Sequence, residues 1–87
     1  MSADVTIEIS PHARVRMADR GASEEDVITA IRQGEPEACR RGRVMFRKNF
    51  PLNALWRGKW CAVKQVAAIV VLERGECTVV TVHVYYF

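Results

Sequence analysis

The residues of this chain best suited to chemistry are two histidines and two arginines. His12, Arg16 and Arg20 follow one another at intervals of four residues, and the second histidine, His83, lies near the other end of the chain. Two imidazoles can share the roles of base and acid, because histidine titrates near neutral pH. Arginine can bind a phosphate through two hydrogen bonds and stabilise the charge that develops on it. These residue types predict acid–base chemistry on a phosphodiester, with neither metal nor cofactor.

Tyr85 follows His83 by two residues and therefore shares its face on a predicted strand. Its hydroxyl can donate a hydrogen bond to a phosphate, and its ring can stack on a nucleobase. A second interpretation stays open, because a histidine near the start of a helix is often a cap or a surface residue. The two arginines can equally form ion pairs with Asp19 on a solvated helix face.

The segment from Ser10 to Gly21 has the residues that start and stop a helix. Ser10 suits the N-cap, Pro11 the first helical position, and Gly21 the left-handed residue after the last turn. At 100° per residue, the histidine, both arginines and Asp19 fall within one arc of about 100°. The rest of the surface carries the apolar side chains that we expect to be buried: Ala13, Val15, Met17 and Ala18.

A second helix is predicted directly after the first. Ser23 and Asp26 approximate a capping box, and Gly34 ends the apolar pattern before Pro36. The connection between the two helices is very short, which indicates a helical hairpin or corner. Before the first helix, the alternating residues 5–9 predict a short strand or extended arm.

The second half of the chain predicts an antiparallel sheet of three or four strands. Strand patterns cover residues 43–50, 60–64, 67–73 and 77–86, whereas residues 53–56 are ambiguous and Gly58 and Gly75 lie in predicted turns. Strict alternation in the last strand places His83 and Tyr85 on one face with Cys77, Val79 and Thr81. We therefore expect a single α+β domain over residues 1–87, with the helices packed on one face of the sheet.

Composition narrows the class of protein further. Of the 87 residues, 49% are hydrophobic, which suffices for one core. No apolar run approaches the roughly 18–20 residues of a membrane span, and the N-terminus does not resemble a secretory signal. We expect a cytoplasmic protein without a membrane partner. The three cysteines are widely spaced, which favours free thiols over a disulfide framework or a zinc site.

The positive charge is concentrated in the middle of the chain. Residues 40–64 contain eight basic residues and no acidic one, within a net charge of +3. This distribution predicts a polyanionic partner, such as RNA or DNA, or an acidic protein, although a solvated basic surface is the alternative. Among the interleaved aromatic residues, Trp56 is the better stacking candidate, and Phe46 and Trp60 are expected in the core. The predicted nucleic-acid-binding residues are Arg40, Arg41, Arg43, Arg47, Lys48, Trp56 and Arg57.

Two motifs resemble a known family. The first is Ser10-x-His12-Ala13-x-x-Arg16-Met17-x-x-Arg20-Gly21, continued by Ser23-x-Glu25-Asp26-Val27 through Gly34, and the second is Val80-Thr81-Val82-x-Val84-Tyr85. They resemble the small bacterial proteins of domain of unknown function 4258, which are similar to toxins of the BrnT and RelE type. The resemblance implies helices before an antiparallel sheet, RNA cleavage without a metal, and a cognate antitoxin over the basic surface. It also implies a site lined by His12, Arg16, Arg20, and His83 or Tyr85.

Three hypotheses follow from the sequence. The first is a toxin-like, metal-independent endoribonuclease that leaves a 2′,3′-cyclic phosphate. The second is a non-catalytic RNA- or protein-binding module that uses residues 40–64. The third is a small structural protein, in which the motif of the first helix maintains the fold.

Overall fold

The computed structural model describes residues 6–87, so Val5 of the predicted first strand and residues 1–4 lie outside it. The predicted α+β class is confirmed. The elements in chain order are β1 (Thr6–Ile9), α1 (Pro11–Arg20), α2 (Glu24–Gln33), β2 (Glu35–Ala38), a 3₁₀ turn (Arg40–Gly42), β3 (Val44–Trp56), β4 (Lys59–Glu73) and β5 (Glu76–Tyr86). Both helices begin and end where their capping residues predict.

The described residues form one five-stranded sheet in the order β1-β5-β4-β3-β2. The expectation of three or four antiparallel strands is wrong, because β1 pairs with β5 in parallel and β2 adds a fifth strand against β3. Strand β1 is far in sequence from its partner β5, and strand β2 has only a weak strand pattern. All four residues of β2 are exposed, so it has no apolar alternation by which its sequence could be identified.

Strand β3 is longer than predicted and continues through Pro51 to Trp56. Pro51 is tolerated because β2 pairs only with residues Val44 to Arg47 of β3, so the outer edge at Pro51 needs no backbone donor. A register shift follows between Pro51 and Ala54, where Asn53 has a φ of 50°. This bulge explains why residues 53–56 lack a clear strand pattern.

The core lies between the two helices and one face of the sheet. Its fully buried members include Ala13 of α1, Val27 of α2 and Val66 of β4. The expected burial of Ala13 and Met17 is confirmed. The expected burial of Val15 and Ala18 is wrong, because only a narrow stripe of α1 faces the sheet, and Val15 is 66% exposed. The other face of the sheet has no helix against it among residues 6–87, and we call it the uncovered face.

A bulge in β5 changes which residues reach the uncovered face. The register with β4 shifts so that Ile69 pairs with Thr81 and Val70 with Val79, which leaves Val80 as the extra residue. Cys77 and Val79 are therefore buried in the core with Val82. The expectation that Cys77 and Val79 share a face with His83 is wrong, while Thr81, His83 and Tyr85 do lie on one face, the uncovered one.

Candidate functional site

Helix α1 is fixed against β5 at both ends. At its start, the Ser10 N–H donates to the Val79 carbonyl at 3.0 Å, and the Ser10 hydroxyl caps the helix by accepting from the Ala13 N–H. At its end, Gly21 has a φ of 81°, and a Cβ there would lie 2.7 Å from the Tyr86 hydroxyl and 2.9 Å from Trp56. A residue with a side chain cannot be placed there without displacing the aromatic rings. The Tyr86 hydroxyl donates to the Arg20 carbonyl at 2.6 Å and so holds this end of the helix against β5.

Arg20 connects the helix to the uncovered face around the edge of the sheet. Its Nη1 donates to the Val82 carbonyl at 3.0 Å and contacts Nδ1 of His83 at 3.1 Å. This reach is available because β1 pairs with β5 only as far as Val79, so the outer edge of β5 has no strand partner beyond that point in the described structure. The structure thus joins two of the predicted site residues directly.

The surroundings of His83 hold its imidazole in the neutral form. Burial lowers the pKa of His83, and the charges of Arg20 and then Arg16 lower it further. A guanidinium has no acceptor, so Nδ1 of His83 accepts from Arg20 and the proton of the neutral ring lies on Nε2. At neutral pH the side chain is an uncharged imidazole flanked by two cations, an arrangement suited to an anionic ligand.

His12 lies at the other end of the same helix. It is exposed, and the rise of 1.5 Å per residue puts its Cα about 12 Å along the axis from that of Arg20. Within residues 6–87 no hydrogen bond joins His12 to His83, and the charges that lower the pKa of His83 are those of the two arginines. His12, Arg16 and Arg20 therefore form a row on α1, and only its last member contacts His83.

Tyr85 is half-exposed beside His83, with 6.4 Å between the ring centroids. On the same face, the strand register places Arg47, Ala67 and His83 side by side in one row across β3, β4 and β5. Arg47 forms an exposed ion pair with Glu37 of β2. The predicted catalytic residue Tyr85 and the predicted RNA-binding residue Arg47 thus lie on the same side of the sheet.

Three more of the predicted RNA-binding residues surround a groove next to this face. Arg40, Arg41 and Arg43 line it together with Cys39 and Ile69, and its volume is about 410 Å³. None of the three arginines has an acidic partner within ion-pair distance among residues 6–87. We call this feature the arginine groove. It adjoins the His83 site because Ile69 pairs with Thr81, two residues before His83.

The remaining predicted RNA-binding residues contact other parts of the protein. Trp56 stacks on Tyr86 with 4.2 Å between ring centroids. Arg57 lies 5.1 Å from the Trp56 ring and donates to the Asp19 carbonyl. Both residues hold the end of α1, and the Lys48 ammonium lies 5.7 Å from the Phe50 ring.

Of the two aromatic residues expected in the core, Phe46 and Trp60, only the first contacts it. Phe46 packs against the core as expected. The expectation that Trp60 is buried is wrong, because its side chain is 61% exposed opposite Leu55 in the β3–β4 hairpin. The hairpin extends beyond the helices, so the residues on one side of it have nothing to pack against.

The sequence did not identify Lys64 as a structural residue. Its ammonium donates to the Asp26 carboxylate at 2.8 Å and to the Gly21 carbonyl, which ties α2 and the α1–α2 turn to β4. Burial raises the pKa of Asp26, but the hydrogen bonds from Lys64 and Ser23 outweigh it and leave the pKa below its usual value. The capping box predicted at Ser23 and Asp26 is present in full. A lysine within a basic segment gave no indication of this contact, which depends on the packing of α2 on the sheet.

Two residues of the uncovered face, Gln65 and Ala67, were not predicted to belong to a site. They lie on β4, between Tyr85 and His83 of β5 and Arg47 of β3. Neither residue type has a spacing in the sequence that would indicate a site. All three cysteines are free thiols, as expected, with Cys61 and Cys77 buried.

Comparison with models of known protein families, with curated proteins and with solved structures finds no match. Among residues 6–87, no three side chains of histidine, cysteine, aspartate or glutamate converge as metal ligands. No helix there has the length and apolar character needed to cross a membrane. Function is therefore inferred from the geometry of the uncovered face and the edge of β5.

Proposed function

We propose that this protein is a metal-independent endoribonuclease whose reaction centre is formed by Arg16, Arg20 and His83. The observation that supports this most strongly is the contact between Arg20 and Nδ1 of His83 at the exposed edge of β5. The His83 imidazole thus contacts one guanidinium, and the charge of a second, that of Arg16, also acts on it, a set of groups suited to attack on a phosphodiester. The arginine groove beside this site supplies further charge for an RNA chain.

The reaction begins when a phosphate of RNA takes over the guanidinium of Arg20. Nδ1 of His83 is then free to accept the proton of the adjacent 2′-hydroxyl. The O2′–P bond forms while the P–O5′ bond breaks, and Arg16 and Arg20 stabilise the additional charge on the phosphate. The departing 5′ oxygen takes a proton from water, and the imidazolium later returns its proton to water. The products are a 2′,3′-cyclic phosphate and a 5′-hydroxyl.

His12 has a different role in this proposal from that of an acid paired with His83. It lies two helical turns from Arg20, so one phosphate does not reach both imidazoles in this arrangement. His12 instead contacts the neighbouring phosphate of the same RNA chain. Two phosphates held along α1 would align the strand with the edge of β5.

The family resemblance adds a biological setting to the proposal. A toxin-like ribonuclease would act on RNA in the cytoplasm and would be inhibited by a cognate antitoxin. An acidic antitoxin segment fits the arginine groove, because the three arginines of the groove have no ion-pair partner in the described part of the chain.

The proposal is tested with purified protein and a single-stranded RNA in the presence of EDTA. We expect cleavage with cyclic phosphate ends, a loss of at least about 100-fold in rate for His83→Ala, and a smaller loss for His12→Ala. The two histidine variants control for each other, because both remove one imidazole from the surface. Undiminished cleavage by His83→Ala would contradict the assigned role of His83.

A non-catalytic RNA-binding module is the second candidate, favoured by the same Arg20 contact. If Arg20 keeps its hydrogen bond to Nδ1 when RNA binds, His83 has no free acceptor and serves only as a donor through Nε2. This candidate predicts RNA binding that weakens steeply with salt and no cleavage in the same preparation. Absence of both binding and cleavage would leave the hypothesis of a small structural protein.

A further inference from the structure

The uncovered face contains a depression beside the proposed reaction centre. Its volume is about 340 Å³, and it is lined by Met45, Arg47, Gln65, Ala67, Tyr85 and Phe87. We propose that this depression binds a nucleobase, that of the nucleotide whose phosphate lies at Arg20. The inference rests on the proposed action on RNA and adds to it a site that recognises the base.

The depression exists because a small residue lies in the middle of the face. Ala67 separates Arg47 from His83 in one row across the strands, and Gln65 separates Asn49 from Tyr85 in the next row. The longer side chains around Ala67 extend above it and enclose it until it is only 1% exposed. The floor of the depression is therefore lower than its walls, which are formed by side chains of β3 and β5.

The walls combine aromatic rings with planar polar groups. Tyr85 is 51% exposed and Phe87 56% exposed, so their rings are available for stacking. The Gln65 amide donates to Asn49 at 2.8 Å, which fixes its orientation and leaves its carbonyl free to accept a hydrogen bond. Arg47, which pairs with Glu37, lies along the opposite wall. A base has an aromatic surface and a hydrogen-bonding edge, and this lining matches both.

The position of the depression links it to the phosphate site. Tyr85 and His83 are neighbours on the same face, and His83 contacts Arg20. A nucleotide with its base against Tyr85 thus has its phosphate directed to the edge of β5. Inorganic phosphate alone would use Arg20 but make no contact with the depression, which gives a direct comparison.

The experiment is an NMR titration of the full chain with the four nucleoside 3′-monophosphates and, separately, with inorganic phosphate. We expect at least one nucleotide to bind about tenfold more tightly than phosphate, with the largest additional shifts at Gln65, Ala67 and Tyr85. Tyr85→Leu should lower that nucleotide affinity about tenfold, a larger factor than any change in phosphate affinity. The matched control is Trp60→Leu, which removes another exposed aromatic ring outside the depression and should change neither affinity.

Equal affinities for phosphate and all four nucleotides would overturn the proposal, as would nucleotide binding that Tyr85→Leu does not weaken. If Tyr85→Leu fails to fold, Gln65→Ala is a second variant of the lining, and it should also weaken nucleotide binding. Mononucleotides contain no phosphodiester to cleave, so the result is independent of catalysis. Tight nucleotide binding without RNA cleavage would refute only the ribonuclease, and cleavage without preference for a nucleotide would refute only the base site.

Discussion

Arg20 has two functions at the level of a single side chain. Its hydrogen bond to the Val82 carbonyl satisfies an acceptor on the open edge of β5, and its contact with His83 sets the tautomer of the imidazole. Substitution of Arg20 would therefore change stability and site chemistry together. Arg16 separates the two effects, because it lowers the pKa of His83 through its charge alone.

We expect Arg16→Gln to raise the pKa of His83 from its lowered value, because one of the two cations that oppose protonation is removed. A pH titration of the His83 ring protons by NMR measures this directly. If His83 is the base, the acid limb of RNA cleavage should move to higher pH in parallel, since the unprotonated imidazole is the active form. The direction follows from the sign of the charge and needs no structural change.

Arg14→Gln is the matched control for this titration. Arg14 lies on the same helix, but it pairs with Glu24 and is not among the causes of the shift at His83. The pKa of His83 should be the same in this variant as in the unaltered protein. An equal shift in both variants would show that the net charge of the protein, and not the position of Arg16, controls the imidazole.

At the level of elements, helix α1 protects the edge of the sheet. The side chains of Ser10 and Arg20 donate to the carbonyls of Val80 and Val82, at 3.4 Å and 3.0 Å. These carbonyls would otherwise be available to another strand. The same packing brings α1 beside His83, so protection of the edge and assembly of the site have one structural cause.

Helix α2 ends directly on β3, and Gly34 is the residue that permits this approach. Its φ of −80° is ordinary, but a Cβ would clash with the Ala30 carbonyl and would lie 2.7 Å from the Arg47 carbonyl. Both contacts are with backbone that cannot move aside easily. We expect Gly34→Ala to lower the free energy of unfolding by more than about 2 kcal/mol, measured by urea denaturation.

Gly58→Ala provides the comparison in the same assay. Gly58 has a φ of 83°, yet no atom lies within 4 Å of the position of its Cβ. Only the left-handed backbone conformation opposes this substitution, so Gly58→Ala should lower the free energy of unfolding by about 1 kcal/mol. A decrease for Gly58→Ala as large as that for Gly34→Ala would show that close packing of α2 on β3 is not what requires glycine.

For the whole molecule, the arrangement of charge matters more than its total. The helices cover one face of the sheet, and the arginine groove, His83 and the base-binding depression lie along or beside the other. A single strand of RNA that follows this face would contact them in turn. The affinity of such a complex should depend strongly on salt, because arginines displace counterions from phosphates.

We expect the triple variant Arg40→Gln, Arg41→Gln, Arg43→Gln to bind single-stranded RNA less tightly and with a weaker salt dependence. The slope of log affinity against log salt should decrease by about 0.7 for each phosphate that no longer has an arginine partner, or about 2 in all. Fluorescence anisotropy at several salt concentrations measures both quantities. The change should be similar for different RNA sequences, since binding to phosphates carries no sequence information.

The control is a second triple variant with the same change in net charge, at Arg14, Arg32 and Arg74, which lie outside the groove. Its salt slope should remain close to that of the unaltered protein. If the slope decreases equally in both triple variants, RNA binding depends on net charge and the groove has no specific part in it.

Much of the local structure could be predicted because its causes are local. The caps at Ser10, Gly21 and Ser23 form with residues no more than four positions away, and the turns at Gly58 and Gly75 need only a left-handed residue. The shared face of His83 and Tyr85 follows equally from the alternation of a strand. These features were predictable from short segments of the chain.

The sequence by itself determined the two helices, most strand segments, the concentration of arginine at residues 40–43 and the residue types available for phosphate chemistry. Only the tertiary structure decided which of those residues meet. The parallel pairing of β1 ends at Val79, the bulge at Val80 turns Cys77 and Val79 into the core, and the open edge beyond admits Arg20 to His83 and leaves His12 apart. The β1–β5 pairing and the contacts of Arg20 join residues more than 60 positions apart, and the bulge depends on the register between β4 and β5, so register and packing, rather than local preference, set the geometry.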